Sequence, residues 1–172
     1  PAVRAALALT ITGLGAWLYA NPASGEPRSP AGFLIKRGLL LILLELTVIN
    51  FAWSGDMPPK TLWLQVIWAI GLSMVALGML SGLPRWLLGA LGFTIVFGHN
   101  LLTPISFPPG HPLFAIWTIL HERAFLVPEG ALKVKVTYPV LPWIGVILVG
   151  YFAGPMAYDI AAIQAESLAH VV

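Results

Sequence analysis

The chain has no cysteine. That excludes a disulfide framework, a thiolate nucleophile and any cysteine-ligated metal, and it leaves the redox compartment unmarked. Charge is scarce too. Only 9% of the 172 residues are Asp, Glu, Lys or Arg, against roughly 25% in soluble domains. The formal charge of +2 comes from Lys and Arg that are scattered rather than clustered, which speaks against a nucleic-acid partner. No Walker loop, zincin motif, nucleotide-binding glycine pattern or internal repeat is present. The four histidines share no i, i+4 helical face with one another or with a carboxylate, so no metal site is expected.

What the chain does have is apolar surface. Hydrophobic residues make up 58% of it and the mean hydropathy is +0.87. So few charges cannot cover a water-facing shell, so lipid is expected to do it. A spanning helix needs about 20 mostly apolar residues. Five segments come near that: residues 5–20, 33–53, 62–80, 86–102 and 140–158. The expectation is an all-α, integral-membrane helical bundle, a single transmembrane domain over residues 1–172 with about five transmembrane helices. The piece 113–120, inside the long connection 103–138, is too short to span and is expected to be interfacial or re-entrant. An apolar run opening directly at Pro1 reads as part of a larger bundle.

Glu45 stands alone in the apolar run 38–53. An acid at the centre of a membrane helix costs about 2.5–3.5 kcal/mol by insertion scales, so such a group faces other helices or a watery cavity and is often functional. Basic residues in short loops set orientation. Arg28, Lys36 and Arg37 lie between the first two segments and Arg85 between the third and fourth, so these are expected on the cytoplasmic side. Asn50, Gln65, His99 and Asn100, with Tyr138 and Trp143, then fall in the outer half. Glu45 and Asn50 are five apart, roughly 140° around a regular helix, so one pocket need not hold both. Gly150 and Gly154 form a GxxxG step and Gly89 and Gly92 flank Ala90-Leu91, both packing signals. Trp53, Trp63, Trp68 and Trp143 lie where an outer aromatic belt belongs. His170, Asp159 and Glu166 read as a solvated tail.

Each polar residue has a plainer explanation beside the functional one. Glu45 can be a structural buried acid, and His99 an interfacial helix-end residue. Asn50, Gln65 and Asn100 can be interhelical hydrogen-bonders. Lys36, Arg37 and Arg85 can be positive-inside anchors. His111 and His121 are loop histidines; His121 has the better functional claim because Glu122 and Arg123 follow it.

Four blocks carry a resemblance. Phe33-Leu-Ile-Lys-Arg-Gly-Leu-Leu-Leu-Ile-Leu-Leu-Glu-Leu-Thr-Val48, Leu64-Gln-Val-Ile-Trp-Ala-Ile-Gly71, Gly98-His-Asn100, and Tyr138-Pro-Val-Leu-Pro-Trp-Ile-Gly145 with Gly150-Tyr151 after it follow one another in order. Together they resemble the DUF1624 membrane proteins, relatives of the catalytic domain of heparan-alpha-glucosaminide N-acetyltransferase. The similarity runs from about residue 5 to residue 155. It implies a membrane acyltransferase that takes acetyl from cytoplasmic acetyl-CoA and passes it to an acceptor, often a sugar amine or hydroxyl, across the membrane. The catalytic histidine of that family falls ahead of the segment matching 5–20, and this chain holds no counterpart. An incomplete piece of such an enzyme is therefore expected.

In that frame His99 and Glu45 are the candidate catalytic residues, because the attacking amine or hydroxyl must give up a proton to a positioned base. Asn50, Gln65, Asn100 and His121 are the candidates for binding the acceptor. Lys36, Arg37 and Arg85 would meet the phosphates of acetyl-CoA. The expected partners are the lipid bilayer and a small-molecule acceptor, with a homo-oligomer left open, and the expected location is a bacterial inner (plasma) membrane. The rival is a transporter or permease-like bundle in which Glu45 and His99 relay protons; a third option is a structural subunit with no chemistry. Paired repeats and broken helices at matching positions would mark the transporter, and neither is visible. Orientation is the first thing to measure. In this cysteine-free background, Ser106→Cys should react with an impermeant thiol reagent in intact cells and Ser29→Cys should not; the reverse pattern would invert the assignment.

Overall fold

A computed structural model describes residues 2–56 and 59–169. His170 and the side chain of Glu166 lie outside what is described; Asp159 is exposed, as a solvated tail requires. The first helix, α1 (Ala2–Ala20), matches the first apolar segment. The second segment is one helical run in three pieces: α2 (Ala31–Leu44), a π-helical turn (Glu45–Ile49) and α3 (Asn50–Ser54), closed by Gly55 at φ +67°. Strand β1 (Thr61–Leu64) precedes α4 (Val66–Leu80). Helix α5 (Arg85–Gly98) ends in a 3-10 turn, His99–Leu102. The short helix α6 (Phe114–Leu120) occupies the piece too short to span. Strands β2 (Phe125–Val127) and β3 (Lys133–Val136) lead into α7 (Leu141–Phe152) and α8 (Gly154–Ala169).

The fold is mostly helical, but not all-α. β1 pairs parallel with β3, and β2 pairs antiparallel on its other side. The cause is legible in Lys133-Val-Lys-Val136, whose period of two puts Val134 and Val136 on one face. Leu64 and its partner Val136 are both buried there. Residues 62–64, counted by hydropathy into the third apolar segment, belong instead to this strand. The segment 140–158 is likewise not one rod: its two helices meet at a 45° bend. Pro155 has no N–H to offer the carbonyl four residues back, and its ring crowds that carbonyl. Among the described residues, one helix (Val3–Ala20) is by itself long and apolar enough to cross a bilayer, or two if the bent pair counts as one. Five uninterrupted spans are not what the structure contains.

Helix packing sets two distinct ends. Gly38 of α2 and Gly71 of α4 meet backbone to backbone in the middle of an antiparallel pair: a Cβ on Gly38 would lie 2.5 Å from the Gly71 carbonyl oxygen, and one on Gly71 would lie 2.7 Å from that of Gly38. Gly150 and Gly154 approach Thr10 and Trp17 of α1, and Gly89 and Gly92 approach Phe152 and Leu148. Both glycine pairs thus serve close packing as expected. A core of Leu9, Leu34, Leu77, Leu88, Ile147 and Leu148 fills the interior. Tyr19 stacks on Phe33, and Arg85 donates to the Phe152 carbonyl. The end of α1, the starts of α2 and α5 and the end of α7 therefore gather with Arg28, Lys36, Arg37 and Arg85. The opposite end carries the sheet, α6 and the 3-10 turn.

Two glycines give a paired test. Gly71→Val forces a branched side chain against the Gly38 carbonyl and is expected to lose about 1–3 kcal/mol, the usual cost of overpacking. Gly15 has nothing within 4 Å of its virtual Cβ; Gly15→Ala is expected to gain about 0.5–1 kcal/mol. Thermal unfolding of both variants in detergent checks the signs.

Candidate functional site

The polar residues singled out in the sequence form two groups at the sheet-bearing end. The first surrounds Glu45, which is completely buried. Its Oε2 accepts a hydrogen bond from the backbone N–H of Trp68 at 3.1 Å. Trp68 lies in the first turn of α4, where backbone donors have no intrahelical partner. Gln65 occupies the N-cap position but makes no side-chain cap. Glu45 supplies that acceptor from a neighbouring helix. Its Oε1, and Nε1 of Trp68, are buried without a protein partner.

Asn50 shares the face of Glu45 after all. The π turn bonds each carbonyl to the N–H five residues on, and the N–H of Asn50 donates to the Glu45 carbonyl. Residues five apart thereby line up, where a regular helix would separate them. The Asn50 amide then acts like a short piece of strand. Its Oδ1 accepts from the Trp63 N–H at 2.7 Å, and its Nδ2 donates to the Trp63 carbonyl at 3.2 Å and to the Glu45 carbonyl at 2.6 Å. Gln65 borders a cleft of about 330 Å³ with Trp53, Ser54 and Trp63.

The second group lines a cavity of about 390 Å³, formed by His99, Asn100, Thr103, His121, Glu122, Arg123, Pro139 and Pro142. The 3-10 turn ending α5 presents His99, half-buried, and Asn100, exposed. Nδ1 of His99 lies 3.1 Å from the Ile95 carbonyl oxygen and 3.0 Å from that of Val96. A ring nitrogen facing two acceptors carries the proton, which leaves Nε2 with the basic lone pair. His121 follows α6 directly and meets the His99 ring edge-on, centroids 6.4 Å apart. Its Nδ1 is buried without a partner. The Arg123 guanidinium lies 5.8 Å from the centre of the Tyr138 ring.

The structure therefore joins His99, Asn100 and His121, and keeps Glu45, Asn50 and Gln65 out of that cavity's lining. Glu122, Arg123 and Thr103 complete it. Their only sequence signal was adjacency to a histidine or to the Gly98-His-Asn100 block. His111 instead stacks on Phe107 and is exposed. No group of three metal-ligating side chains occurs among the described residues.

The basic residues do not form one cluster either. Arg85 lines a cavity of about 390 Å³ with Trp17, Asn21, Leu83, Tyr151 and Pro155. Arg37 rests 4.3 Å from the centre of the Phe33 ring and opens a separate groove. Lys36 is exposed.

A helical bundle with cations at one end and a histidine-bearing polar cavity under a small sheet at the other defines the class. The family model for the heparan-alpha-glucosaminide N-acetyltransferase catalytic domain matches residues 2–171, and the chain belongs to that family. Neither the curated proteins nor the solved structures contain a match.

The Glu45 cap and the Asn50 clamp make separable predictions. Glu45→Leu removes the acceptor from the start of α4 and is expected to cost about 0.5–2 kcal/mol, as other lost caps do. Glu45→Gln keeps an acceptor oxygen and should recover most of that loss. Asn50→Leu leaves the part-buried Trp63 N–H and carbonyl without their side-chain partner, at up to about 1–3 kcal/mol, the range for a lost partner. Amide exchange at Trp63 should quicken in Asn50→Leu and stay slow in Glu45→Gln.

Proposed function

We propose that this chain forms part of a membrane acetyltransferase in which His99 is the general base for the acceptor. The family carries the acetyltransferase assignment. The observation that supports the role of His99 is geometric: its Nδ1 lies within hydrogen-bond distance of two backbone carbonyls, which can only accept, so the neutral ring keeps Nε2 as its acceptor in a residue that lines a polar cavity. The acceptor amine or hydroxyl attacks the acetyl carbonyl, a C–N or C–O bond forms, the C–S bond of the donor breaks, and the released proton passes to Nε2. Asn100 and His121 bind the acceptor, a sugar amine or hydroxyl. Glu45 and Asn50 act from outside the cavity by fixing the start of α4 and strand β1, and Gln65 borders the separate cleft beside Trp63.

Acetyl-CoA enters from the basic end. Arg85 is the phosphate ligand best supported, because it shares its cavity with the aromatic face of Trp17 and the polar groups of Asn21 and Tyr151. Lys36 and Arg37 add positive potential at the same end. Arg85 and His99 mark the two ends of α5, about 20 Å apart at 1.5 Å per residue, so the donor's extended arm must run along the bundle. Five segments cross the membrane in this reading: α1, the run 31–54, β1 with α4, α5 with its 3-10 turn, and the bent pair of α7 with the start of α8. Exposed Ile11, Leu39, Leu43, Phe93 and Phe97 on their outer faces support lipid as the covering solvent. The membrane is the cell's inner one, with the basic end in the cytoplasm.

The test uses proteoliposomes of the protein that carries this chain, with labelled acetyl-CoA outside and amino-sugars inside. Label on the trapped sugar is expected. His99→Ala should lower the rate by about 10²–10⁴-fold, the range for loss of a general base, and leave thermal unfolding unchanged. Solute movement without label, or full activity in His99→Ala, would overturn this reading.

A further inference from the structure

At the basic end four side chains form a single stack. The Arg28 guanidinium lies 4.0 Å from the centre of the Tyr19 ring, Tyr19 stacks on Phe33 at 4.2 Å, and the Arg37 guanidinium lies 4.3 Å from the far ring. Each guanidinium is held by one face, through attraction to the ring quadrupole. The Nε of Arg28 donates to the Tyr19 carbonyl at 2.9 Å, which ties the loop back onto α1. Arg37 has no hydrogen bond to a protein acceptor among the described residues. Its planar fork of donors is thus fixed in orientation and still uncommitted, which suits bidentate binding of a phosphate.

Beside that fork runs a groove of about 440 Å³. Thr12 of α1, Leu40 and Leu41 of α2, and Ile70 and Met74 of α4 line it, with Arg37 as its one charged residue. The groove is apolar where it runs between helices and cationic where Arg37 closes it. That is the chemistry of an amphiphile with an anionic head and a hydrocarbon tail. A basic pocket between helices on the cytoplasmic side is the usual setting for anionic lipid headgroups. The one carboxylate in the adjoining loop, Glu26, is exposed and pairs with neither arginine among the described residues.

We propose that this groove binds one anionic phospholipid of the inner leaflet, with its phosphate on Arg37 and an acyl chain between α1, α2 and α4. The assignment rests on the membrane reading above but not on the acetyl-transfer chemistry. The Arg28–Tyr19–Phe33 stack presets Arg37, so the site recognises charge by geometry and not only by net potential. Lys36 is the natural control, since it carries the same charge one residue away and does not line the groove.

The experiment is native mass spectrometry of the protein released from nanodiscs of phosphatidylcholine with phosphatidylglycerol as the minor lipid. One retained phosphatidylglycerol per chain is expected. Arg37→Gln should reduce its retention by about tenfold or more, the loss of a charge-assisted pair. Lys36→Gln should change it less than about threefold. Millimolar glycerol phosphate should not displace the lipid, because the tail contributes to binding. Equal losses in the two variants would show diffuse surface electrostatics and overturn the site, and displacement by glycerol phosphate would make it a free-phosphate site instead. Release of the protein from membranes by alkaline carbonate would refute the membrane reading itself, a result distinct from failure of lipid selectivity in a protein that stays inserted.

Discussion

The carboxylate of Glu45 at the start of α4 is the contact on which the sheet-bearing end depends. A bundle this apolar has little to fix the register of one helix on another except close packing and a few polar contacts. Gly38, Gly71 and Gly78 bring α2 and α4 together along their length. The Trp68 N–H to Glu45 bond adds a directional polar contact at the sheet-bearing end of the pair. It needs a buried acceptor next to a helix N-terminus, and the carboxyl group of Glu45 provides one. The π turn that begins at Glu45 then carries Asn50 round to Trp63. Strand β1 is held by that amide on one side and by β3 on the other, so the sheet inherits its position from the acid.

Through the sheet the same constraint reaches the histidine cavity. β3 runs into Tyr138 and Pro139, and Pro139 is part of the cavity wall. The N–H of Val140 donates to the Ile119 carbonyl of α6 at 2.9 Å, which sets where His121 follows. His99 arrives independently, on α5. The cavity is thus a meeting of two separately positioned histidines, and a small change in α6 alters one without the other.

Legibility in the sequence followed the kind of signal each feature depends on. Helices α1 and α2, the short α6 and the two glycine-lined interfaces were readable because hydropathy and small-residue spacing are local properties. The separation of basic and polar ends also followed from charge placement. The sheet was not read, because Thr61-Leu-Trp-Leu64 is as hydrophobic as the helix after it and a hydropathy window cannot tell them apart. Lys133-Val-Lys-Val136 did alternate and could have shown it. The π turn leaves no compositional mark, so the regular-helix angle between Glu45 and Asn50 does not hold across it. Grouping of the site residues is tertiary: nothing in the chain says that His121 meets His99, or that Arg37 and Arg85 serve different cavities.

Buried polar groups are satisfied unevenly at the sheet-bearing end. Asn50 uses both ends of its amide on backbone partners, as a group with a structural task must in an apolar interior. Thr118, His121 and Thr137 have buried polar atoms with no partner. Thr118 stands three residues before His121, and Thr137 two before Pro139, so all three belong to the segments that border the histidine cavity. An unpaired buried hydroxyl or ring nitrogen costs about 1–3 kcal/mol. Oε1 of Glu45 and Nε1 of Trp68 share that condition, so the unpaired atoms border both polar groups of the sheet-bearing end, while the amide of Asn50 between them is fully used.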